Sequence, residues 1–407
     1  MRILISAYAC EPDKGSEPGA GWNWACAAAR DHHVWVMTRA NNQPALEAAL
    51  EQDPNENLHF VYLDLPRWAR FWKRRGRGVR SYYLLWQLLA ARESRRLHRK
   101  HHFDIVHHLT FANVWLPALV CVVDAPFVLG PVGGGPRVPL RLFPALGMRG
   151  ILHELLRGAA RQLSRLNPLV RISWKRADLI VCQNAETRAA LPKRHRAKAL
   201  IQSNASVQTG LLAALQRPKC RSSNGGNQAI YAGRLAPWKG LTLAIRAVAL
   251  TPGWRLVIVG DGSDRARLEI LVRKLGVGSR VAFRDWCPQE ALWELLRSSD
   301  VLLLPSLRED ASFVAAEACT LGVSVIAFDQ GGPAVLRNAG LAPIDLIGLS
   351  SVAGAIDGLV LALRSHRAST LESPKVAAAD ALFAPPATVE SLRLIYGRLM
   401  VNPVLAR

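Results

Sequence analysis

The sequence predicts an α/β protein built from two parallel-sheet domains. Three observations carry that reading. Short continuous apolar runs recur in both halves, a helix-like stretch follows most of them, and a polar Gly- and Ser-containing stretch (residues 218–228) separates the two sets. A length of 407 residues accommodates two domains of ordinary size, and a composition half hydrophobic and 20% charged can give each a core. The expected boundaries are 1–205 for an N-terminal Rossmann-like domain, 206–227 for a linker, 228–384 for a C-terminal Rossmann-like domain, and 385–407 for a closing helix.

Residues 1–7, MRILISA, read as a first buried strand, followed by the loop CEPDKGSEPGAGW and a helix over 22–30. Strand, glycine-bearing loop and helix N-terminus together make a place where backbone N–H groups can receive a phosphate. The loop is not a dinucleotide-binding G-x-G-x-x-G. Residues 34–38 and 58–63 continue as strands, and 103–110 (FDIVHHLT) form another that ends in polar residues. Strand alternation sends His107 and His108 to opposite faces. A further strand and glycine run, FVLGPVGGGP, occupies 127–136, and 178–181 is the next strand, with Asn184 opening a helix.

Two stretches of this half are strongly basic. Residues 67–100 hold 12 Lys or Arg, with Trp68, Phe71 and Trp72 beside Arg70, Lys73, Arg74 and Arg75. Rings and cations so mixed suit the headgroup level of an anionic membrane, although a solvated basic helix is the plainer alternative. Residues 147–177 repeat the character with Arg149, Arg157, Arg161, Arg165, Arg171, Lys175 and Arg176.

In the second half, strand 229–231 runs into the turn Ala232-Gly233-Arg234-Leu235, and Pro237-Trp238-Lys239-Gly240 leads to a helix near 241. Strands over 254–259 and 281–284 follow, with a helix over 265–275 between them. The stretch from 300 to 333 then reads as strand (301–304), loop, small-residue helix (313–321) closed by Gly322, strand (323–328), and a Gly-Gly-Pro turn. It carries Glu309 in the loop and Glu317 in the helix. If helical throughout, eight residues would set them about 12 Å apart along the axis, so they serve different parts of one long ligand rather than form a dyad.

The formal net charge of +21 points to polyanionic partners: anionic membrane, nucleic acid or phosphorylated substrates. No recognised nucleic-acid-binding motif accompanies the charge, so nucleic acid is not the partner expected. Seven cysteines without CxxC spacing fit a reducing cytoplasm rather than a zinc site or a disulfide framework. The chain shows no run of 18 apolar residues, and its start reads as a strand rather than a signal peptide.

Several of these motifs resemble one family. Glu309 and Glu317, seven residues between them and an Ala after the second, are similar to the Glu-x7-Glu signature of family 4 retaining glycosyltransferases of the GT-B fold. The segments GSEPGAGW and GPVGGG resemble those of one branch of that family, and GRLAPWKG its G-R-L-x-x-x-K-G element. The resemblance covers most of residues 1–340. It implies a GT-B fold, two Rossmann-like parallel-sheet domains facing a central cleft, and a nucleotide-diphosphate sugar as donor. By the same resemblance Arg234, Lys239 and the Gly15 backbone hold the donor diphosphate, Glu317 takes the ribose hydroxyls, Glu309 lies near the transferred sugar, and His107 faces the cleft. Arginine and lysine suit the task because a departing nucleoside diphosphate gains negative charge, which a site without a metal neutralises with cations and helix-terminus donors. No catalytic metal or other cofactor is expected, since no Asp-x-Asp pair stands in a fitting context. The acceptor implied is a lipid-linked glycan of surface polysaccharide synthesis, and the location the cytoplasm, peripheral to the inner face of the plasma membrane.

The chain departs from the family at two places. Ser203-Asn204-Ala205-Ser206 replaces the usual Asn-Gly turn at the domain junction, and Asp310-Ala311-Ser312 follows Glu309 where relatives carry Gly-Phe-Gly. A non-catalytic GT-B partner subunit and a basic nucleic-acid or membrane-surface binder are the alternative readings.

Overall fold

The computed structural model describes residues 1–66, 78–205, 210–211, 227–366 and 385–401. Residues 67–77, with Trp68, Phe71, Trp72 and their neighbouring cations, and most of the expected linker lie outside the described residues. The chain divides into two compact units: Met1–Gly135 with Ala160–Ser206 and Pro385–Arg407, and Pro136–Ala159 with Val207–Ala384.

The first unit is a seven-stranded parallel sheet. Its strands are β1 (Arg2–Ala7), β2 (His33–Arg39), β3 (Leu58–Leu63), β4 (Ile105–Thr110), β5 (Phe127–Val132), β6 (Leu179–Cys182) and β7 (Ala199–Ile201), in the order β3-β2-β1-β4-β5-β6-β7. Continuous apolar runs make these strands because both faces are covered. Leu4, Met37, Val106, Leu129 and Ile180 pack on one face with Tyr83, Trp86 and Trp174. Ile3, Ile5, Val36, Ile105 and Val181 pack on the other with Trp24, Leu392, Ile395 and Tyr396. The last three come from the helix Pro385–Val401, which Arg393 also ties to Asp31 by an ion pair of 2.8 Å.

The first helix begins at Ser16 rather than near Trp22. Glu17 and Pro18 fit its first turn, where N–H groups have no intrahelical partner and proline loses nothing. Gly21 is small enough to pass the Ala9 carbonyl, which a Cβ would meet at 2.2 Å.

The second unit holds a six-stranded parallel sheet of β8 (Asn227–Ala232), β9 (Trp254–Val259), β10 (Val281–Arg284), β11 (Val301–Leu304), β12 (Ser324–Phe328) and β13 (Ile344–Ile347), ordered β10-β9-β8-β11-β12-β13. Tyr231, Ile258, Leu303 and Ile326 form its core with Ile245, Leu268 and Leu359 of the flanking helices. Residues 136–159, expected in the N-terminal domain, belong to this unit instead. Val138, Leu142 and Leu146 bury in its core, and the Ala145 carbonyl accepts hydrogen bonds from Thr242 and Arg267.

Each sheet reverses its strand order once, between β1 and β4 and between β8 and β11. In open parallel sheets the crevice outside the carboxyl ends of the strands at such a switch point is where ligands bind. The loops after β8 and β11 therefore decide what the second unit can do.

Candidate active site

Those two loops bring Lys239 and Glu309 together. Lys239 closes the single 3-10 turn Pro237–Lys239, and its Nζ lies 2.6 Å from Glu309 Oε2, both side chains largely but not fully covered. The backbone sets up the encounter. Leu307 N–H donates to the Trp238 carbonyl at 2.8 Å. Gly240, at φ 67°, caps the helix Leu241–Ala249 so close to β11 that a Cβ would sit 1.9 Å from the Pro305 carbonyl. On the other side, Gly331 opens the helix Gly331–Asn338, and a Cβ there would lie 1.9 Å from the Glu309 carbonyl. The sequence pattern predicts a turn at this Gly-Gly-Pro; it is a helix start, with proline at the third position.

An aromatic and ionic cluster lies beside the pair. The Arg308 guanidinium stands 4.3 Å from the centre of the Trp238 ring, and the His153 ring stacks on the same indole at 4.7 Å. Arg308 Nε is 2.8 Å from Glu154 Oε1, off the line of its N–H, so the attraction is electrostatic rather than a directed hydrogen bond. Burial pulls the guanidinium down to about 10, with neighbouring Arg157 adding to the effect and Glu154 opposing it.

Glu317 is set deeper, on the buried face of the helix Phe313–Thr320. Gln289 Nε2 donates to its Oε1 at 2.7 Å, and burial pushes the carboxyl up to about 8. Ser312, ahead of this helix, stands at φ 63° and ψ 55°, the left-handed region. It keeps the backbone shape a glycine there would adopt, at a steric cost of about 1–2 kcal/mol. Its buried hydroxyl finds no hydrogen-bond partner among the described residues. Arg234 is exposed at the end of the turn after β8, held by Tyr231 Oη, which donates to its carbonyl at 2.9 Å. Its guanidinium makes no ion pair among the described residues. Asp264 of the Asp-Gly-Ser-Asp turn is committed to Arg267 at 2.7 Å, a structural pairing.

In the first unit, Gly15, expected in the loop ahead of the helix, is instead the N-cap residue of Ser16–Ala29 in extended conformation. His107 does not open on a cleft, and that expectation is corrected. Its side chain is fully buried between β4 and the helix Pro385–Val401. Nε2 lies 2.6 Å from the Gly130 carbonyl and Nδ1 2.9 Å from Tyr396 Oη. A carbonyl only accepts, so Nε2 carries the proton and Nδ1 accepts from the tyrosine. Burial lowers this histidine to about 4, so it is neutral at pH 7. His108, on the opposite face, is equally buried, between Tyr83 Oη at 3.1 Å and Ser6 Oγ at 3.2 Å. Tyr396 lies 289 residues away from His107, and no local signal pairs them.

The basic stretch over 147–177 turns only some of its cations outward. The helix Phe143–Leu166 is kinked at Gly147 (φ 67°), and beyond the kink it is built inside out: Glu154 and Arg161 are buried, while Leu152, Leu155, Leu156, Leu163 and Leu166 are exposed. Arg161 donates to the Gly134 carbonyl and lies 5.8 Å from the Trp115 ring centre. Arg157 donates to the Pro136 carbonyl at 3.2 Å. Polar groups that find carbonyls and aromatic faces inside can be buried. The helix Val79–His101 likewise exposes Leu84, Leu85 and Leu88. Among the described residues no helix is long and apolar enough to cross a membrane.

Comparison with known proteins agrees with this architecture. Residues 214–342 match the family described as Glycosyl transferases group 1. A 2-deoxystreptamine glucosyltransferase of Streptomyces kanamyceticus is 36% identical over 112 residues, 26% of this chain and 29% of that protein. The matched stretch thus spans less than a third of that relative's length. Among solved structures, Anabaena HepE in complex with UDP and glucose superposes with a TM-score of 0.59 at 15% identity, covering 97% of this chain and 99% of that one. WaaG, a glycosyltransferase involved in lipopolysaccharide biosynthesis, gives 0.57 at 19% identity, covering 97% and 100%. The Lys239–Glu309 pair, Arg234 and Glu317 all fall inside the matched stretch. Residues 214–342 are thus similar to the family described as Glycosyl transferases group 1, and the chain shares its fold with GT-B glycosyltransferases.

Proposed function

We propose that this protein is a retaining glycosyltransferase that takes a sugar from a nucleotide-diphosphate donor. The observation that carries the reading is the Lys239–Glu309 pair at the β8–β11 switch point, inside the Glycosyl transferases group 1 stretch. In this reading Lys239 and the exposed Arg234 neutralise the departing diphosphate, Arg234 by gripping two oxygens and Lys239 as a point charge. Glu309, already beside the ammonium, faces the transferred sugar. Glu317 accepts from the ribose diol, and each hydrogen bond donated to its carboxylate favours the charged form that burial opposes.

The bond from the anomeric carbon to the leaving phosphate oxygen breaks while one to the acceptor oxygen forms on the same face. The acceptor's proton passes to the leaving phosphate oxygen, so no side-chain nucleophile is required. Charge neutralisation is assigned to these two side chains, and no metal enters the scheme. The acceptor in this reading is a lipid-linked glycan at the cytoplasmic face of an anionic membrane. Support comes from the exposed leucines of Phe143–Leu166 and from the exposed cations Arg149, Arg171, Lys175 and Arg176.

The test is a thermal-shift screen of UDP-, GDP- and ADP-sugars on the wild type and Glu317→Ala. A ligand at 100 times its dissociation constant adds about 2.7 kcal/mol of stability. One sugar nucleotide that stabilises the wild type and not the variant is the expected result. A folded wild type indifferent to every donor overturns the reading. Anomeric analysis of the product then tests retention.

A further inference from the structure

We infer that Arg308, anchored by Glu154 and lying on the Trp238 indole, is the positioning residue that holds Lys239 on Glu309. The two members of that pair come from different loops, 70 residues apart in sequence. Neither is carried by a long regular element. Lys239 ends a three-residue turn, and Glu309 lies in irregular backbone after β11. The Leu307-to-Trp238 hydrogen bond and the close approach of Gly240 to Pro305 fix the two backbones. They leave the direction of both side chains open, and a lysine has a flexible four-carbon stem.

Arg308 supplies what is missing. It directly precedes Glu309, and the ring it covers directly precedes Lys239. One planar contact therefore ties the residue next to the carboxylate to the residue next to the ammonium. The guanidinium itself is immobilised, its side chain 13% exposed and paired with a Glu154 carboxylate that is 6% exposed. Glu154 reaches it from a third segment, Pro136–Ala159, which belongs to the same unit. A packing role alone would be served by an apolar side chain. A buried cation is used here, and the fields of Glu154, Asp310 and Glu309 all act to keep it charged. Arginine suits the position because its planar fork stacks and pairs at once.

Lys239 is held in this way in the unliganded protein, whereas the consequence for turnover rests on the transferase reading above. Trace acylation of lysines, read by mass spectrometry, measures how accessible each ammonium is without any donor. In Arg308→Met, Lys239 should be labelled several-fold faster than in wild type while exposed Lys274 is unchanged. Arg308→Lys, which keeps the charge without the plane, and Glu154→Gln should give smaller rises and serve where the methionine variant folds poorly. Unchanged labelling of Lys239 in all three folded variants overturns the inference.

With a donor that the wild type accepts, Arg308→Met should lower kcat/KM about tenfold. The same substitution should cost nothing more in a Lys239→Ala background, because its effect passes through that lysine. Additive losses would mark a general structural role and reject the positioning role. A wild type that accepts no donor would sink the transferase reading alone, and the labelling would still decide the positioning.

Discussion

The two sheets carry the polar residues of their central strands in opposite ways. After β11 the chain places Arg308, Glu309 and, through the neighbouring loop, Lys239 in a partly open cluster of interacting charges. In the middle of β4 it places two histidines that are wholly enclosed, neutral, and bonded on both ring nitrogens. Both runs look alike on paper: apolar strand, then polar residues. The difference is what packs over them. β11 is followed by an irregular loop that two glycines allow close against its neighbours, whereas β4 is roofed by Trp24 and Tyr396 on one face and Tyr83 on the other. A polar residue on or after a central strand stays open to a ligand only where no second element closes over it.

Changes on each side should separate the two kinds of polar site. Lys239→Ala should raise the transfer barrier by about 3–4 kcal/mol, by analogy with losing an oxyanion-hole donor, while the melting temperature moves little; kcat/KM and a thermal scan read both. A Lys239→Ala enzyme as fast as wild type would break the contrast. His107→Ala should do the reverse. Losing two buried hydrogen bonds and leaving a cavity costs on the order of 2–4 kcal/mol of stability, with donor binding unchanged in protein kept folded by low temperature. If instead this variant stayed stable and lost activity, the histidine would belong with the reacting groups.

Glu317 gives a smaller and sharper test. Its carboxyl is raised by burial, so the folded state holds the proton more tightly than the unfolded chain does. The associated stability is complete below about pH 4.5 and is lost as pH rises through about 8. Denaturant titrations of the unliganded protein across that window should show wild type weakening relative to Glu317→Gln, with a slope of up to about 1.4 kcal/mol per pH unit. Parallel pH profiles for the two would remove Glu317 from the buried carboxyls.

Much of the second unit was legible because its strands are short unbroken apolar runs with punctuating glycines. The strands over 254–259, 281–284 and 301–304 lie where the pattern put them. Glu309 and Lys239 were both marked by spacing within motifs, and their meeting follows from β8 and β11 being neighbours. What stayed hidden was long-range. Arg308 and Trp238 each flank a marked residue, yet nothing local says that they touch. The strands β7 and β13 are too short or too polar to stand out. Charge alone does not tell which way each arginine turns: Arg161, in a stretch read as an outward basic face, turns inward to a carbonyl and an indole.

The exposed leucines beyond the Gly147 kink of the helix Phe143–Leu166 also give the protein an adhesive face. Its outward leucines stay in contact with water unless something else covers them. Detergent or lipid that covers these leucines should therefore bind the protein at this face, whatever its chemistry.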